Sequence, residues 1–167
     1  MTTAIIGVHS SGESEIRSKY PSIASTAPGR VLGSLYESIP SRIWGLKLSN
    51  LLFVLPTAPI GVLLYVTTKL FGERYVLTNR SVQTWAVVGA KQYQSVSLTD
   101  VAEMEYVQLP GQEYYHAGDL ILKNAKGGSI MRISGIKDAD IFRQIIEKAR
   151  DARIGTEQSL EMIEARA

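Results

Sequence analysis

The sequence has no cysteine and only two histidines, His9 and His116. Without a thiol there is no disulfide scaffold, no thiolate metal site and no cysteine nucleophile. Glycine-rich phosphate loops are missing as well. Lys126-Gly127-Gly128-Ser129 comes nearest in composition, but no helix follows it as a P-loop requires. The Gly-x-Ser-x-Gly elbow of hydrolases is absent. The start of the chain lacks the basic cluster of a secretory signal, and its apolar patch, Ala4–Val8, is too short for one. No lipidation pattern is visible at either end. Net charge is only +2, from 18 basic and 16 acidic residues, which gives no case for a nucleic-acid partner. Nothing here implies a cofactor, a metal or a small-molecule substrate.

One further absence organises the rest. No charge occurs between Lys47 and Lys69, so residues 48–68 form an uncharged run of 21 residues. A helix of that length spans ~31 Å, about one hydrocarbon core. Leu51, Leu52, Phe53, Val54, Leu55, Ile60, Val62, Leu63, Leu64, Tyr65 and Val66 supply the apolar surface of a membrane segment, interrupted by Pro56 and Pro59. Each proline removes an amide donor and crowds the preceding turn. Two shapes follow: a single kinked span, or a re-entrant hairpin that turns at Pro56-Thr57-Ala58-Pro59. The length favours the span. The basic residues near the run are balanced, Arg30, Arg42 and Lys47 before it and Lys69, Arg74 and Arg80 after it, so they do not orient it. Trp44, Lys47 and Lys69 have the character of interfacial anchors. The alternative for Trp44 is packing on the following domain.

Around this run the chain divides into residues 1–47, an N-terminal arm with a short amphipathic stretch; 48–68, the membrane segment; 71–153, a folded domain; and 154–167, a charged tail. Residues 9–19 are small and polar and read as a mobile arm. Val31, Leu32, Leu35, Tyr36 and Ile39 recur at helical spacing until Pro40 stops them. After the run the texture becomes that of strands. Arg74–Thr78, a stretch over 82–88, Tyr93–Leu98, Ala102–Leu109, Asp119–Asn124 and Ser129–Ile133 are separated by turn residues, including Asn79-Arg80 and Lys126-Gly127-Gly128. Then the period becomes helical. Ile141, Ile145, Ala149 and Ala152 define one face, widened by Phe142 and Ile146. Asp138 or Asp140 caps its start and Gly155 ends it. Ile141 and Ile145 are expected to seal a core containing Val82, Val96 and Leu122. The fold expected is mostly β with α: an antiparallel roll or barrel closed by a C-terminal helix and preceded by the membrane segment.

Three stretches carry a family resemblance: Tyr75-Val76-Leu77-Thr78-Asn79-Arg80-Ser81-Val82, Val96-Ser97-Leu98-Thr99-Asp100-Val101 and Gly118-Asp119-Leu120. With the closing helix, the segment from Arg74 to about Arg153 resembles the bacterial pleckstrin-homology-like (PH-like) domain family, often attached to hydrophobic segments. The resemblance implies fold roles: Thr78 and Asn79 bond the turn, and Asp119 binds nearby backbone amides. The basic first-hairpin loop of phosphoinositide-binding PH domains is reduced here to Arg80, so that recognition is not expected.

The best candidate binding surface is the loop Gln112, Glu113, Tyr114, Tyr115 and His116, two aromatics in a polar, glycine-bounded segment. The alternative is a loop that folds back over the sheet. The leading expectation is a non-enzymatic, membrane-attached PH-like adaptor whose domain is cytoplasmic, with membrane lipid and a protein partner or another copy of itself as neighbours. A second is a subunit of a stable assembly packed through residues 48–68. A third and weaker one is a hydrolase using His116, paired with Asp119.

Overall fold

A computed structural model of the chain describes residues 12–43 and 45–165. In chain order the elements are β1 (Glu15–Lys19), α1 (Ala27–Glu37), β2 (Arg42–Ile43), β3 (Leu46–Lys47), α2 (Leu55–Phe71), β4 (Glu73–Thr78), β5 (Ser81–Ala86), β6 (Gln92–Ser97), β7 (Glu103–Val107), β8 (Ala117–Lys123), β9 (Ser129–Lys137) and α3 (Ala139–Glu164). The larger strands form two antiparallel sheets, β1-β4-β5-β6 and β7-β8-β9, while β2 and β3 make a small hairpin. Helix exceeds strand, 46% against 32%, so the fold is mixed α/β rather than mostly β. Among the described residues no strand pair joins the two sheets, so the expected barrel is not closed.

Local chemistry explains most of these elements. Thr78 Oγ1 accepts from the amides of Arg80 (3.2 Å) and Ser81 (2.9 Å), which turns β4 into β5. Asn124 Oδ1 accepts from Lys126 (3.0 Å) and Gly128 (2.8 Å) around Gly127, whose φ of +79° suits glycine. Thr26 caps α1 by accepting from the Gly29 amide at 3.2 Å, with Pro28 in the first turn.

Two further readings are corrected and one open alternative is excluded. Residues 15–19 are not part of a mobile arm: they pair with β4 as an edge strand. The Asn79 side chain accepts from the Ser14 amide at 3.0 Å, and Glu13 accepts from Ser81 Oγ (2.6 Å) and Gln83 Nε2 (3.1 Å). This covers the outer face of β5, which is why Ser81 and Gln83 are buried instead of alternating outward.

Pro56-Thr57-Ala58-Pro59 does not turn the chain. A wider π-helical turn over Asn50–Val54 runs directly into α2, giving one continuous helix, Asn50–Phe71. The wide turn ends at Val54, just before Pro56, whose ring would crowd the carbonyl four residues back in a tighter helix.

The second correction concerns α3. Its core face is Ala139, Phe142 and Ile146, with Ile145 and Ala149 partly buried, whereas Ile141 is 57% exposed. Asp138 has a left-handed backbone (φ 53°) as the chain leaves β9. Past that turn the helix packs its Phe142 and Ile146 face on the core. Phe142 and Ile146 pack with Leu77, Val82, Val96, Leu98, Leu120, Leu122 and Ile133 in the core between the sheets. Gly155 does not end α3; it lies within the helix, which takes in most of the charged tail.

Candidate functional site

The uncharged helix is the first part of the site. No residue of Asn50–Phe71 is fully buried. Asn50, Phe53, Thr57, Gly61, Leu64 and Thr68 are half-buried and recur every three or four residues, with Val54 and Lys69 beside them. That spacing is one helical stripe, and the body of the protein lies along it. Thr57 Oγ1 donates to the Phe53 carbonyl (2.5 Å), so the 2.6 Å contact with Tyr36 is donated by the tyrosine. Ser49, buried at the foot of the helix, donates to the Tyr36 carbonyl. Toward the other end, Leu64 and Thr68 line a cleft with Pro21, Ser25 and Thr26.

The opposite side of the helix is open. Leu55 is 82% exposed and Phe71 77%, with Leu51, Leu52, Ile60, Val62, Leu63, Tyr65, Val66 and Leu70 also outward. Pro56 and Pro59 are exposed among them. Thr67 and Thr68 donate to the carbonyls of Leu63 and Leu64, both at 2.7 Å, so their hydroxyls are satisfied inside the helix. The outer surface therefore presents hydrocarbon without a charge.

The second part is the 109–116 loop, and it is a mount for α1 more than an open surface. Gln112 is buried: its Oε1 accepts from the Leu109 amide (2.8 Å) and its Nε2 donates to Asp119 Oδ1 (2.6 Å). Gly33 of α1 presses on the loop so closely that a β-carbon there would lie 2.0 Å from the Gly111 carbonyl oxygen. Tyr114 packs on Tyr36 with ring centroids 4.8 Å apart, and Tyr115 meets Tyr114 edge-on at 5.0 Å. Burial pushes the Tyr115 phenol up to about 12, with Tyr36 and Tyr114 adding to the effect. Tyr114 is raised for the same first reason.

Of the five loop residues, only Glu113 and His116 are exposed. They border a shallow cleft with Glu37, Lys47, Asn50 and Tyr114. Among the described residues the His116 side chain makes no hydrogen bond or ion pair. The Asp119 carboxylate is engaged instead by Gln112, Arg132 and Gly135. The hydrolytic pair suggested by proximity in sequence is thus not assembled.

Of the three proposed anchors, two lie among the described residues. Trp44 lies outside the described residues, as does His9. Lys47 is paired with Glu37. The Lys69 ammonium sits 4.4 Å from the centroid of the Tyr20 ring. What the sequence reading missed is α1 as the bridge between α2 and the loop. A signal was present in Gly29-x-x-x-Gly33, the small-residue spacing that lets a helix approach other backbone closely. The linkage of Asp119 to Arg132 and Gln112 had no such local sign.

No protein-family description, curated protein or solved structure matches the chain.

Proposed function

We propose that the protein is a non-enzymatic, membrane-attached interaction module whose folded domain is PH-like. The observation that carries this is the helix Asn50–Phe71, 22 residues long with a mean hydropathy of 1.9 and none of it buried. A helix apolar on all sides is ordinarily buried in protein or in lipid, and here the protein covers one stripe only. The PH-like reading is supported by two antiparallel sheets with a final helix packed into their shared core. Attachment concentrates the domain at a surface and raises the effective concentration of any partner held there.

The test is membrane fractionation of the full-length protein. Alkaline carbonate and high salt are expected to leave it in the membrane pellet, and the pellet to float with lipid on a density gradient. Failure to pellet with membranes or to float with lipid at low salt would refute attachment through this helix.

The same exposed face supports a second reading, a subunit of a stable assembly in which α2 packs against protein. Size measurement in mild detergent separates the two. A monomeric particle with no copurifying chain excludes the assembly.

A further inference from the structure

We infer that the helix Asn50–Phe71 does not cross the bilayer but lies along it, its outer face sunk into an anionic leaflet. The inference rests on the membrane reading above and adds the orientation of the helix and the charge of the lipid.

The orientation follows from what lies alongside. The midpoint of Asn50–Phe71 falls at Ile60-Gly61. Thr57, on one side of that midpoint, is bonded to Tyr36 near the end of α1. Leu64, on the other side, shares a cleft with Ser25 and Thr26 at the start of α1. Helix α1 therefore bridges both levels, antiparallel to α2. Were α2 upright, α1 would cross the middle of the hydrocarbon. Arg30, whose guanidinium donates to the Ser25 carbonyl at 3.2 Å, would go with it. So would the Ala24 carbonyl, which meets the buried Gln112 amide of the domain core. A charge and a hydrogen-bonded domain body at that depth carry a prohibitive desolvation cost. Laid flat, α2 inserts only its uncharged outer face, and the body behind it takes the place of the polar face of an interfacial helix.

The lipid charge follows from the rim. At the C-terminal end of α2, Lys69 and Lys137 line one cleft with Tyr20, Tyr65 and Tyr115. Lys19 Nζ donates to the Lys137 carbonyl at 3.3 Å, bringing a third ammonium there. Among the described residues none of these lysines has a carboxylate within ion-pair distance, unlike Lys47 and Lys123. Lys69 rests instead between the rings of Tyr20 and Tyr65, 4.4 and 5.9 Å from their centroids. Uncompensated ammoniums and tyrosines beside exposed Leu70 and Phe71 match the phosphate level of an anionic leaflet.

Both parts can be tested on the full chain, which has no native cysteine. Ser41, whose carbonyl bonds the Leu48 amide, and Lys91, on the turn whose Val87 amide bonds Gly72, are exposed near opposite ends of the helix. The S41C/K91C variant is reconstituted into sealed phosphatidylcholine–phosphatidylglycerol vesicles, treated with an impermeant maleimide and weighed intact. The expected result is molecules with two labels or none, since both ends share one compartment. A population dominated by single labels would overturn the flat orientation while leaving membrane attachment intact. Wild-type protein diluted from detergent onto preformed vesicles should float several-fold better with phosphatidylglycerol than with phosphatidylcholine alone, and K69Q/K137Q should lose that difference. Equal flotation of wild type on both lipids would overturn the anionic preference. Flotation on neither, with a dimer in detergent, would sink the membrane reading itself and give the face to a second copy of the chain.

Discussion

Asp119 shows how much one side chain can join. Its Oδ1 accepts from Gln112 Nε2 at 2.6 Å and the Gly135 amide at 2.7 Å, and its Oδ2 from Arg132 Nε at 3.0 Å and Nη2 at 2.6 Å. A buried carboxylate is tolerable only when its acceptor capacity is met in this way. The result ties the 109–116 loop to β9. Tyr75 lies close by, its hydroxyl accepting from the Ser134 amide at 3.1 Å. Burial pushes this phenol up to about 12; the Ser134 bond opposes the shift, and Glu73 and Asp119 add to it. Between its unfolded and folded values the unfolded chain binds fewer protons than the native one, so stability falls as pH rises. The contribution is full below about pH 10 and is lost toward about pH 12, on the order of 2–3 kcal/mol. Tyr75→Phe should cost about 1 kcal/mol at neutral pH, because the Ser134 amide loses its acceptor. It should also flatten the alkaline decline. Guanidinium melts in mild detergent from about pH 8 to about pH 11 would show it; parallel declines in the two proteins would dissociate Tyr75 from the effect.

At the scale of elements, α3 closes the core with a face one residue away from the obvious isoleucine pair. Phe142 and Ile146 are buried one turn apart, and Ile141 looks outward. Phe142→Ala removes a large side chain from a packed core and should lower stability by ~3–5 kcal/mol. Ile141→Ala, on the solvated side, should change it by less than ~0.5 kcal/mol. Denaturant melts of the two full-length variants make the comparison. Similar midpoints would mean that α3 does not close the core through this face.

Across the whole molecule, α1 is the coupling between the sheet domain and the apolar helix. At Gly33 a β-carbon would lie 2.0 Å from the Gly111 carbonyl oxygen and 2.8 Å from the Tyr115 ring. The carbonyl is backbone and cannot swing aside. Gly33→Ala should lift α1 from the loop and, through Tyr36 and Thr57, loosen α2 as well. Hydrogen exchange is expected to rise on the order of tenfold or more over residues 27–50, with β8 unchanged, as for a local opening. Uniform protection in the variant would show that the three pieces are not linked through this contact.

Much of this architecture could be read from the chain because its causes are local. Turn chemistry at Thr78-Asn79-Arg80 and Lys126-Gly127-Gly128 placed the hairpins, and alternating side chains placed the strands between them. The lack of charge from residue 48 to 68 marked the apolar helix by composition alone. Other features depend on partners distant in sequence. The polar segment Glu15–Lys19 became a strand because β4 offered an unpaired edge, and backbone pairing asks little of side chains. For the tyrosine loop the sequence left open both an exposed surface and a loop folded against the protein; Gly33 and Tyr36 of α1 pack on it. Past the left-handed turn at Asp138, α3 packs its Phe142 and Ile146 face on the core. The sequence by itself determined that residues 48–68 would be uncharged and apolar, since that needs only hydrocarbon side chains, while the continuous helix through Pro56 and Pro59 came from the structure. Only the tertiary structure decided which side of that helix stays open, because the stripe from Asn50 to Thr68 is covered by α1 and the 20–26 segment, brought there by packing and not by anything in the helix itself.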